Sequence, residues 1–389
     1  MNIAQNVEKL KLFVGALVSA GVDDAAGWQK WRREPANERF MEQCLSYERA
    51  DGMPSVTSLV KPFFHPTLPL IGLNYTQVAH NTLHAFENGW TEPMRLCRGI
   101  VFDRWCRLVA FPFPKFFNFG EQSETCNLPD EAFVATVKQD GHLGIIFEYD
   151  GQIICTTRGC FVSGSAAIAN QMLDRYRQVW SRSFPKDVTV LAEIIHPETE
   201  VHVKYNGEQG FVLIGAFNCR SFHDFDYEEL SELGARLELK VTERWSGSSI
   251  AELQALMHDL SVANQEGFVV RFASGLRVKF KFKSYIALMI GEKLTPRYVM
   301  LRLTQGNFDS KIADLPGEVQ LEARAIERQL LAVGEVAGDK KARWEYLYKL
   351  LSDDELTDCH RSNCRNFHAW AVREGRIPAP AQPVKAKRR

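Results

Sequence analysis

A lysine at the end of a predicted strand is a candidate nucleophile in this sequence. In "VKQDGHLG", residues 137–144, Lys138 ends an apolar alternation that begins at Phe133 and is followed by Asp140-Gly141, a pair typical of a tight turn. A lysine amine attacks an electrophile only when it is neutral, and burial or neighbouring cations lower the pKa of such an amine enough to allow this. The pattern predicts that Lys138 faces a cleft.

Three more lysines, Lys279, Lys281 and Lys283, alternate with apolar residues in "VKFKFKSY" and are predicted to share one face of a strand. Cations in such a row repel one another unless an anion lies in front of them, and a polyphosphate is the natural candidate. The competing interpretation is a solvent-facing edge strand whose lysines prevent association with other strands.

Two carboxylates in apolar surroundings could contribute to the same site. Glu266 precedes Gly267 at the start of the preceding predicted strand, where it could hold a hard divalent cation through water. Glu193 lies within the apolar run "VLAEII", where burial without a partner would be unfavourable. Each residue is a weak signal alone, and the order of these residues along the chain is more informative than any one of them.

The composition restricts the class of protein. The 389 residues are 45% hydrophobic and carry 47 basic and 48 acidic side chains, which predicts two domains and no global field that would attract nucleic acid. Nine cysteines without framework spacing predict free thiols and a cytoplasmic location. No apolar run is long enough to cross a bilayer. The start "KLKLFVGALVSAGV" has the basic flank of a signal peptide, but helical spacing predicts a packed amphipathic helix through Leu10, Phe13, Val14, Leu17 and Val18.

The element pattern predicts an α+β protein, in which an antiparallel-sheet domain is followed by an all-helical C-terminal domain. Residues 1–288 are expected to form the first domain, with 1–68 as its helical N-terminal part, and residues 289–376 the second. Alternating prolines and clustered cations predict a disordered tail over 377–389. Asp150-Gly151 predicts a hairpin turn. Later strands are predicted in "VTVLAEII", "EVHVKY", "GFVLIGAFN" and "GFVVRFASGLRVKFKF".

The order of the short motifs resembles that of the covalent nucleotidyltransferase superfamily of polynucleotide ligases and mRNA capping enzymes. Within it, the sequence is most similar to the bacteriophage T4 RNA ligase 1 family, over roughly residues 70–290. The motifs are Arg98 in "CRGIVFD", Lys115 in "FPKFFNFGE", Lys138 in "VKQDG", Arg158 in "TTRGCF", Glu193 in "AEIIHPETEVHVKY", Glu266 in "QEGFVVRF", and Lys279, Lys281 and Tyr285 in "VKFKFKSY".

The resemblance implies a nucleotidyltransferase fold and an ATP-dependent RNA ligase that joins 5'-phosphate and 3'-hydroxyl RNA ends through lysyl-AMP and RNA-adenylate intermediates. It further implies ATP and Mg²⁺ or Mn²⁺ as cofactors and a role in RNA repair, such as that of a nicked tRNA. Lys138 would be the nucleophile, Lys279 and Lys281 would neutralise the α-phosphate, Glu266 would hold metal-bound water, and Glu193 would position the ribose or a metal. The implied nucleotide-binding residues are Arg98, Lys115, Asp140, Gly141, Arg158, Glu193, Glu266, Lys279, Lys281 and Tyr285.

Two alternative functions stay open. One is a GTP-dependent capping-type enzyme, although a capping enzyme would be expected to append an OB-fold where this sequence looks helical. The other is an inactive RNA-binding relative. Leu143 stands where DNA ligases of the superfamily have arginine, which favours RNA over DNA as the substrate.

Some residues with reactive side chains receive a structural interpretation. His142 is expected to have a surface or packing role, and Phe217 is expected in the core rather than stacked on adenine. The spacing of four Cys and His residues matches the usual zinc sites poorly: Cys359, His360, Cys364 and His368.

Overall fold

The chain divides into two units in the computed structural model. One consists of Met1–Glu252 and Asn264–Lys281, and the other of Leu253–Ala263 and Phe282–Arg389. The boundary expected from the sequence, between 288 and 289, stays a prediction. The structure describes residues 2–86, 89–162, 164–259, 262–292, 294–313, 315, 317–351 and 358–380. The predicted disordered tail lies outside the described residues from 381 onwards.

The first unit begins with helices that pack on a sheet. In α1, Leu10, Phe13, Val14 and Leu17 are buried, whereas Leu12 is 63% exposed, so the predicted amphipathic helix is confirmed. Burial of each of the four buried side chains stabilises the fold by about 2 kcal/mol. The helices in chain order are α1 (Ile3–Ser19), α2 (Ala25–Trp31), α3 (Pro35–Cys44), α4 (Gln77–Thr82), α5 (Glu92–Leu96), α6 (Ser123–Cys126), α7 (Ser165–Met172), α8 (Arg177–Ser183) and α9 (Tyr227–Leu237). The next helix, α10 (Ile250–Met257), begins in the first unit, and its residues from Leu253 onwards belong to the second.

Three sheets form the rest of this unit, and almost all of their strand pairs are antiparallel. The first sheet has the order β1 (Val60–Phe64), β2 (Leu70–Tyr75), β3 (Arg98–Asp103) and β4 (Leu108–Ala110). The second has the order β11 (Lys240–Val241), β10 (Gly210–Asn218), β9 (Val188–Ile195), β7 (His142–Tyr149) and β8 (Gln152–Thr156). The third has the order β5 (Phe117–Asn118), β13 (Arg277–Lys281), β12 (Gly267–Phe272) and β6 (Phe133–Lys138). Short parallel pairings join β10 to β11 and β13 to β5.

Several local predictions are confirmed. Asp150 and Gly151 have φ angles of 52° and 73° and join β7 to β8, as a tight primed turn requires. Phe217 is 3% exposed and contacts the rings of Phe111 and Phe113, so it belongs to the core. The α+β class with an antiparallel-sheet domain and a helical C-terminal region is also confirmed.

Three local predictions are wrong. "EVHVKY" (200–205) contains no strand, because this segment supplies hydrogen-bond partners to Asp140 instead of to a sheet. Lys283 does not continue the lysine face of β13, because β13 ends at Lys281 and a helix begins at Lys283. The segment 1–68 is not wholly helical, since β1 lies within it.

The second unit is built from helices around their own apolar core. Its buried side chains include Val299, Met300, Leu303, Leu347 and Phe367. None of the helices in the described part of the chain is long and apolar enough to cross a membrane. The helices are α11 (Lys283–Glu292), α12 (Pro296–Thr304), α13 (Phe308–Ile312), α14 (Gly317–Leu331), α15 (Lys340–Leu350) and α16 (Asp358–Arg373).

Candidate active site

Strand register brings the motif lysines of the first unit together. Gly267 on β12 pairs with Lys138 on β6 at one side and with Lys281 on β13 at the other. Two residues along the strands, Val269 pairs with Thr136 and with Lys279 in the same way. Because β13 is paired on both sides, the interpretation as an edge strand is wrong.

The carboxylate of Glu266 bridges two of these lysines. Its Oε2 lies 2.6 Å from Nζ of Lys138 and its Oε1 lies 2.8 Å from Nζ of Lys281. Glu266 is 3% exposed, so the pair of charges that it neutralises is largely shielded from water. In the protein without a bound ligand, this carboxylate is therefore the anion that offsets the positive charges of Lys138 and Lys281.

Lys279 has different surroundings. Its Nζ donates a hydrogen bond to the carbonyl oxygen of Phe116 at 3.1 Å and lies 4.6 Å from the centre of the Phe116 ring. Burial lowers the pKa of Lys279 well below its usual value, and the nearby charges of Arg98, Lys115 and Lys138 lower it further. A bound anion would favour the charged form of this amine.

Glu193 is a buried carboxyl group at the other wall of the site. It is 8% exposed, and its Oε1 accepts a hydrogen bond from the backbone N–H of Gly141 at 3.1 Å. Burial raises the pKa of Glu193 to about 7, because the positive charge of Lys138 only partly offsets desolvation and the negative charge of Glu266 acts in the same direction as burial.

The connection between β6 and β7 is fixed by hydrogen bonds and by close packing. Asp140 is 5% exposed, and its Oδ2 accepts hydrogen bonds from the N–H groups of His202 and Val203 at 2.9 and 2.8 Å. At Gly141, a Cβ atom would lie 2.5 Å from the carbonyl oxygen of Ile194. A larger residue at 141 would displace the chain that follows Lys138, so the Asp-Gly pair positions the lysine.

Two arginines lie at another wall of the site: Arg98 begins β3 of the first sheet, and Arg158 follows β8 of the second sheet. Nη1 of Arg158 donates to the hydroxyl of Tyr75 at 2.7 Å, and the guanidinium lies 4.8 Å from the centre of that ring. Nη1 of Arg98 is buried and has no hydrogen-bond partner among the described residues. Burial would raise the pKa of Tyr75, but the charges of Arg98, Arg158 and Lys115 together lower it. This wall therefore offers donors for an anion.

Lys115 lies behind this wall in an aromatic cage. It is 4% exposed, and its Nζ lies 5.6, 4.8 and 4.4 Å from the ring centres of Tyr75, Trp90 and Phe117. Burial lowers the pKa of Lys115. The role of this residue as a direct phosphate ligand stays a prediction, since its ammonium contacts rings.

A cavity of about 540 Å³ in the first unit is lined by Lys138, Glu193, Lys279, Arg98 and Arg158. Gly141 and the exposed His142 also border it. Glu266 lies beside the cavity, because it forms an ion pair with Lys138, and Lys281 forms an ion pair with Glu266 in turn. Tyr285 is a buried residue of α11, in the second unit.

The cavity includes residues that the motifs did not predict. Arg277 forms two contacts of 2.7 Å with Asp224 and stacks 4.7 Å from the ring centre of Phe113. Asn74 at the end of β2 and Phe116 border the same space. The sequence indicates these two residues only by their neighbours, since Asn74 follows an apolar run and Phe116 follows a motif lysine.

Glu266 and Glu193 are the carboxylates that could hold a divalent metal ion. Mg²⁺ and Mn²⁺ often use one or two carboxylates and take their other ligands from phosphate and water. The two carboxylates fit this arrangement only when phosphate oxygens complete it, because both oxygens of Glu266 already contact lysines. Within the described part of the chain, no group of three His, Cys, Asp or Glu side chains is placed to hold a metal. The side chain of Cys359 lies outside the described residues.

Replacing Glu193 by glutamine is expected to change how the free energy of unfolding depends on pH. The pKa of Glu193 is about 7 in the folded wild type, so the carboxyl group keeps its proton up to about that pH, whereas the unfolded chain releases it near the usual pKa of 4.5. The wild type therefore loses stability as the pH rises through this window, and the variant does not. Between about pH 5 and pH 8, the variant should gain about 3 kcal/mol relative to the wild type in denaturant titrations.

The matched control for this measurement is Glu198→Gln, in which an exposed carboxylate is replaced. Its free energy of unfolding should differ from that of the wild type by the same amount at both pH values. A Glu193→Gln variant whose difference is equally constant would contradict the raised pKa of Glu193.

Comparisons with known proteins add a family match. Residues 96–286 match the model of a family described as RNA ligase. A curated protein of Thermovibrio ammonificans named "Putative RNA ligase" is 28% identical over 186 residues, which are 46% of this chain and 47% of that protein. The chain thus spans about half the length of this relative.

Solved structures that resemble parts of this chain were also found. An archaeal ATP-dependent RNA ligase has a TM-score of 0.43 at 15% identity, covering 67% of this chain and 82% of that one. The RNA ligase of Naegleria gruberi with PPi has a TM-score of 0.35 at 18% identity, covering 40% and 51% of the two chains.

Proposed function

We propose that this chain, whose residues 96–286 match the model of a family described as RNA ligase, is an ATP-dependent RNA ligase of the T4 RNA ligase 1-like family. It joins 5'-phosphate and 3'-hydroxyl RNA ends through lysyl-AMP and RNA-adenylate intermediates. The observation that best supports this proposal is that Lys138, Lys279, Arg98 and Arg158 border one cavity together with a buried carboxyl group, Glu193. Such a set of donors suits a polyphosphate.

In the first step, Nζ of Lys138 attacks the α-phosphorus of ATP. A P–N bond forms, the bond from the α-phosphorus to the bridging oxygen breaks, and pyrophosphate leaves with the electron pair. An ammonium ion has no lone pair, so Lys138 must first lose a proton, and the closest carboxylate oxygen is Oε2 of Glu266 at 2.6 Å. Lys279 and Lys281 neutralise charge on the α-phosphate as it develops.

A divalent ion, Mg²⁺ or Mn²⁺, would supply further neutralisation of the phosphates when it is bound. Glu266 would hold it through water, and Glu193 could share it or orient the ribose. Asp140, Gly141 and Tyr285 complete the proposed nucleotide-binding residues, of which the first two act by positioning the chain after Lys138.

In the later steps, an oxygen of the RNA 5'-phosphate attacks the lysyl-AMP phosphorus and releases the lysine. The RNA 3'-hydroxyl then attacks the activated 5'-phosphate, and AMP leaves. Arg98 and Arg158 are the proposed ligands of the RNA phosphate or the triphosphate, and Lys115 supports them from behind Tyr75. A nicked tRNA as the substrate and a cytoplasmic location are parts of the same proposal.

The capping-type alternative has less support. A capping enzyme would be expected to carry a strand-rich OB-fold, whereas the second unit shows helices and no strand in its described residues. An inactive relative would be expected to have lost some of its charged motif residues, yet every one of them is present.

The proposed function is tested by incubating the purified protein with radiolabelled ATP or GTP in the presence of Mg²⁺ or Mn²⁺. We expect ATP to label the protein covalently, and we expect the labelled protein to seal RNA with 5'-phosphate and 3'-hydroxyl ends. A nicked tRNA stem-loop and a nicked duplex should be compared as substrates. Labelling by GTP instead would support the capping-type enzyme, and no labelling by either nucleotide would support the inactive relative.

A further inference from the structure

Asn74 is a buried polar residue of the cavity to which the proposed mechanism gives no role. It is 7% exposed, and its Oδ1 is buried without a hydrogen-bond partner in the part of the chain that the structure describes. The residue borders the cavity that also contains Lys138 and Glu193. A buried polar atom without a partner is unfavourable for folding, which suggests that a bound molecule supplies the partner.

The local backbone positions this side chain. Asn74 on β2 pairs with Arg98 on β3, while the preceding Leu73 pairs with Ile100, so Gly99 is an extra residue between the two pairs. Gly99 has a φ angle of 94°, and a Cβ atom on it would lie 3.0 Å from Cα of Arg158. This β-bulge changes the direction of the side chains beside it and lets the arginine segment approach closely.

The carboxamide of Asn74 is free to present either end. A Cβ atom at Gly159 would lie 2.9 Å from Nδ2 of Asn74, so the glycine leaves room for the amide. No hydrogen bond within the described residues fixes this amide, and a half-turn about the Cβ–Cγ bond exchanges Oδ1 with Nδ2. The residue can therefore accept a hydrogen bond, which its cationic neighbours Arg98 and Arg158 cannot do.

We propose that the carboxamide of Asn74 binds a ribose hydroxyl of the nucleotide or RNA end that occupies the cavity. The inference rests on the proposed function. A phosphate group bound by Arg98 or Arg158 offers only acceptors, whereas the ribose attached to it offers hydroxyls that donate and accept. Asn74, directly opposite Arg98 across the bulge, is placed to read that sugar.

The ribose can come from ATP or from RNA, and two assays separate these sources. The first compares covalent labelling by ATP with labelling by 2'-deoxy-ATP and 3'-deoxy-ATP. The second supplies pre-adenylylated donor strands and compares donors whose 5'-terminal nucleotide carries ribose or 2'-deoxyribose. The variants are Asn74→Leu, which has a similar shape and no polar atom, and Asn74→Ala.

Both variants should fold, because replacing an unpartnered polar atom by an apolar group does not remove a hydrogen bond of the free protein. Their preference for ribose over deoxyribose should fall on the order of tenfold in one assay, which identifies the source of the sugar. Asn81→Leu is the matched control, since Asn81 is an exposed residue of α4, and it should keep the wild-type preference.

The proposal is overturned if both Asn74 variants keep the wild-type preference in both assays, or if the wild type shows no such preference. A clear drop in thermal stability of both variants would also contradict it, because it would show that Asn74 has a structural role. Failure of the proposed function looks different, since the wild type itself would then be unlabelled by ATP and would seal no RNA.

Discussion

Replacing Lys138 by arginine is expected to abolish covalent labelling of the protein by ATP and to reduce RNA sealing by several orders of magnitude. The guanidinium keeps the positive charge and can still pair with Glu266, so the fold should be retained. Arginine is not deprotonated in proteins and cannot supply a nucleophilic amine. Intact-protein mass spectrometry after incubation with ATP and Mg²⁺ or Mn²⁺ measures the adduct, and peptide mapping locates it.

The control for this substitution is Lys61→Arg, which changes an exposed lysine of β1 and should leave the adduct unaffected. The critical outcome is the site of any remaining adduct. Lys279 is the amine whose pKa is lowered well below its usual value by burial, so electrostatics alone would favour it as a nucleophile. An adenylate on Lys279 in the wild type, or undiminished labelling of Lys138→Arg, would contradict the assignment of Lys138.

Replacing Glu266 by glutamine should have the second largest effect, because one neutral side chain would then face two ammonium groups. The variant loses both ion pairs, and removing one partner of a shielded pair costs about 3 kcal/mol of the free energy of unfolding. Covalent labelling by ATP should also be lost, since the proton acceptor closest to Lys138 and the proposed holder of the metal-bound water disappear together.

Both effects are measurable separately. Denaturant titration gives the change in the free energy of unfolding, and labelling is then assayed at a temperature where circular dichroism shows the variant to be folded. Asp174→Asn is a suitable control, because it removes the partner of Arg177 in a pair whose side chains are 69% and 54% exposed. A folded Glu266→Gln protein that labels at the wild-type rate would refute both roles of the carboxylate.

The strands that carry the motifs could be predicted because their side chains alternate. The apolar runs at 188–195 and 210–218 coincide with β9 and β10, and Lys138 does end β6. The segment 200–205 has a similar alternation but forms no strand, since the carboxylate of Asp140 takes two of its backbone N–H groups. Propensity was overridden there by a contact between residues that are distant in the sequence.

The partners of the motif residues were much harder to predict. A resemblance to a family gives the positions of Lys138, Glu266 and Lys281, but only the pairing of three strands shows that the carboxylate bridges the two ammonium groups. The aromatic cage of Lys115 and the hydrogen bond from Arg158 to Tyr75 join distant segments. No local periodicity encodes such contacts, because they depend on how sheets are placed in space.

The pairing of β12 with β13 also determines which side chains of β13 face the cavity. The two strands are joined by the short connection 273–276, and side chains alternate between the two faces of each strand. If adding or deleting a residue there shifts the pairing by one, Phe280 turns towards the cavity in place of its neighbouring lysines. The register of this hairpin is thus as important to the cavity as the identity of the motif residues, although the connection itself lies outside the cavity and carries no reactive group.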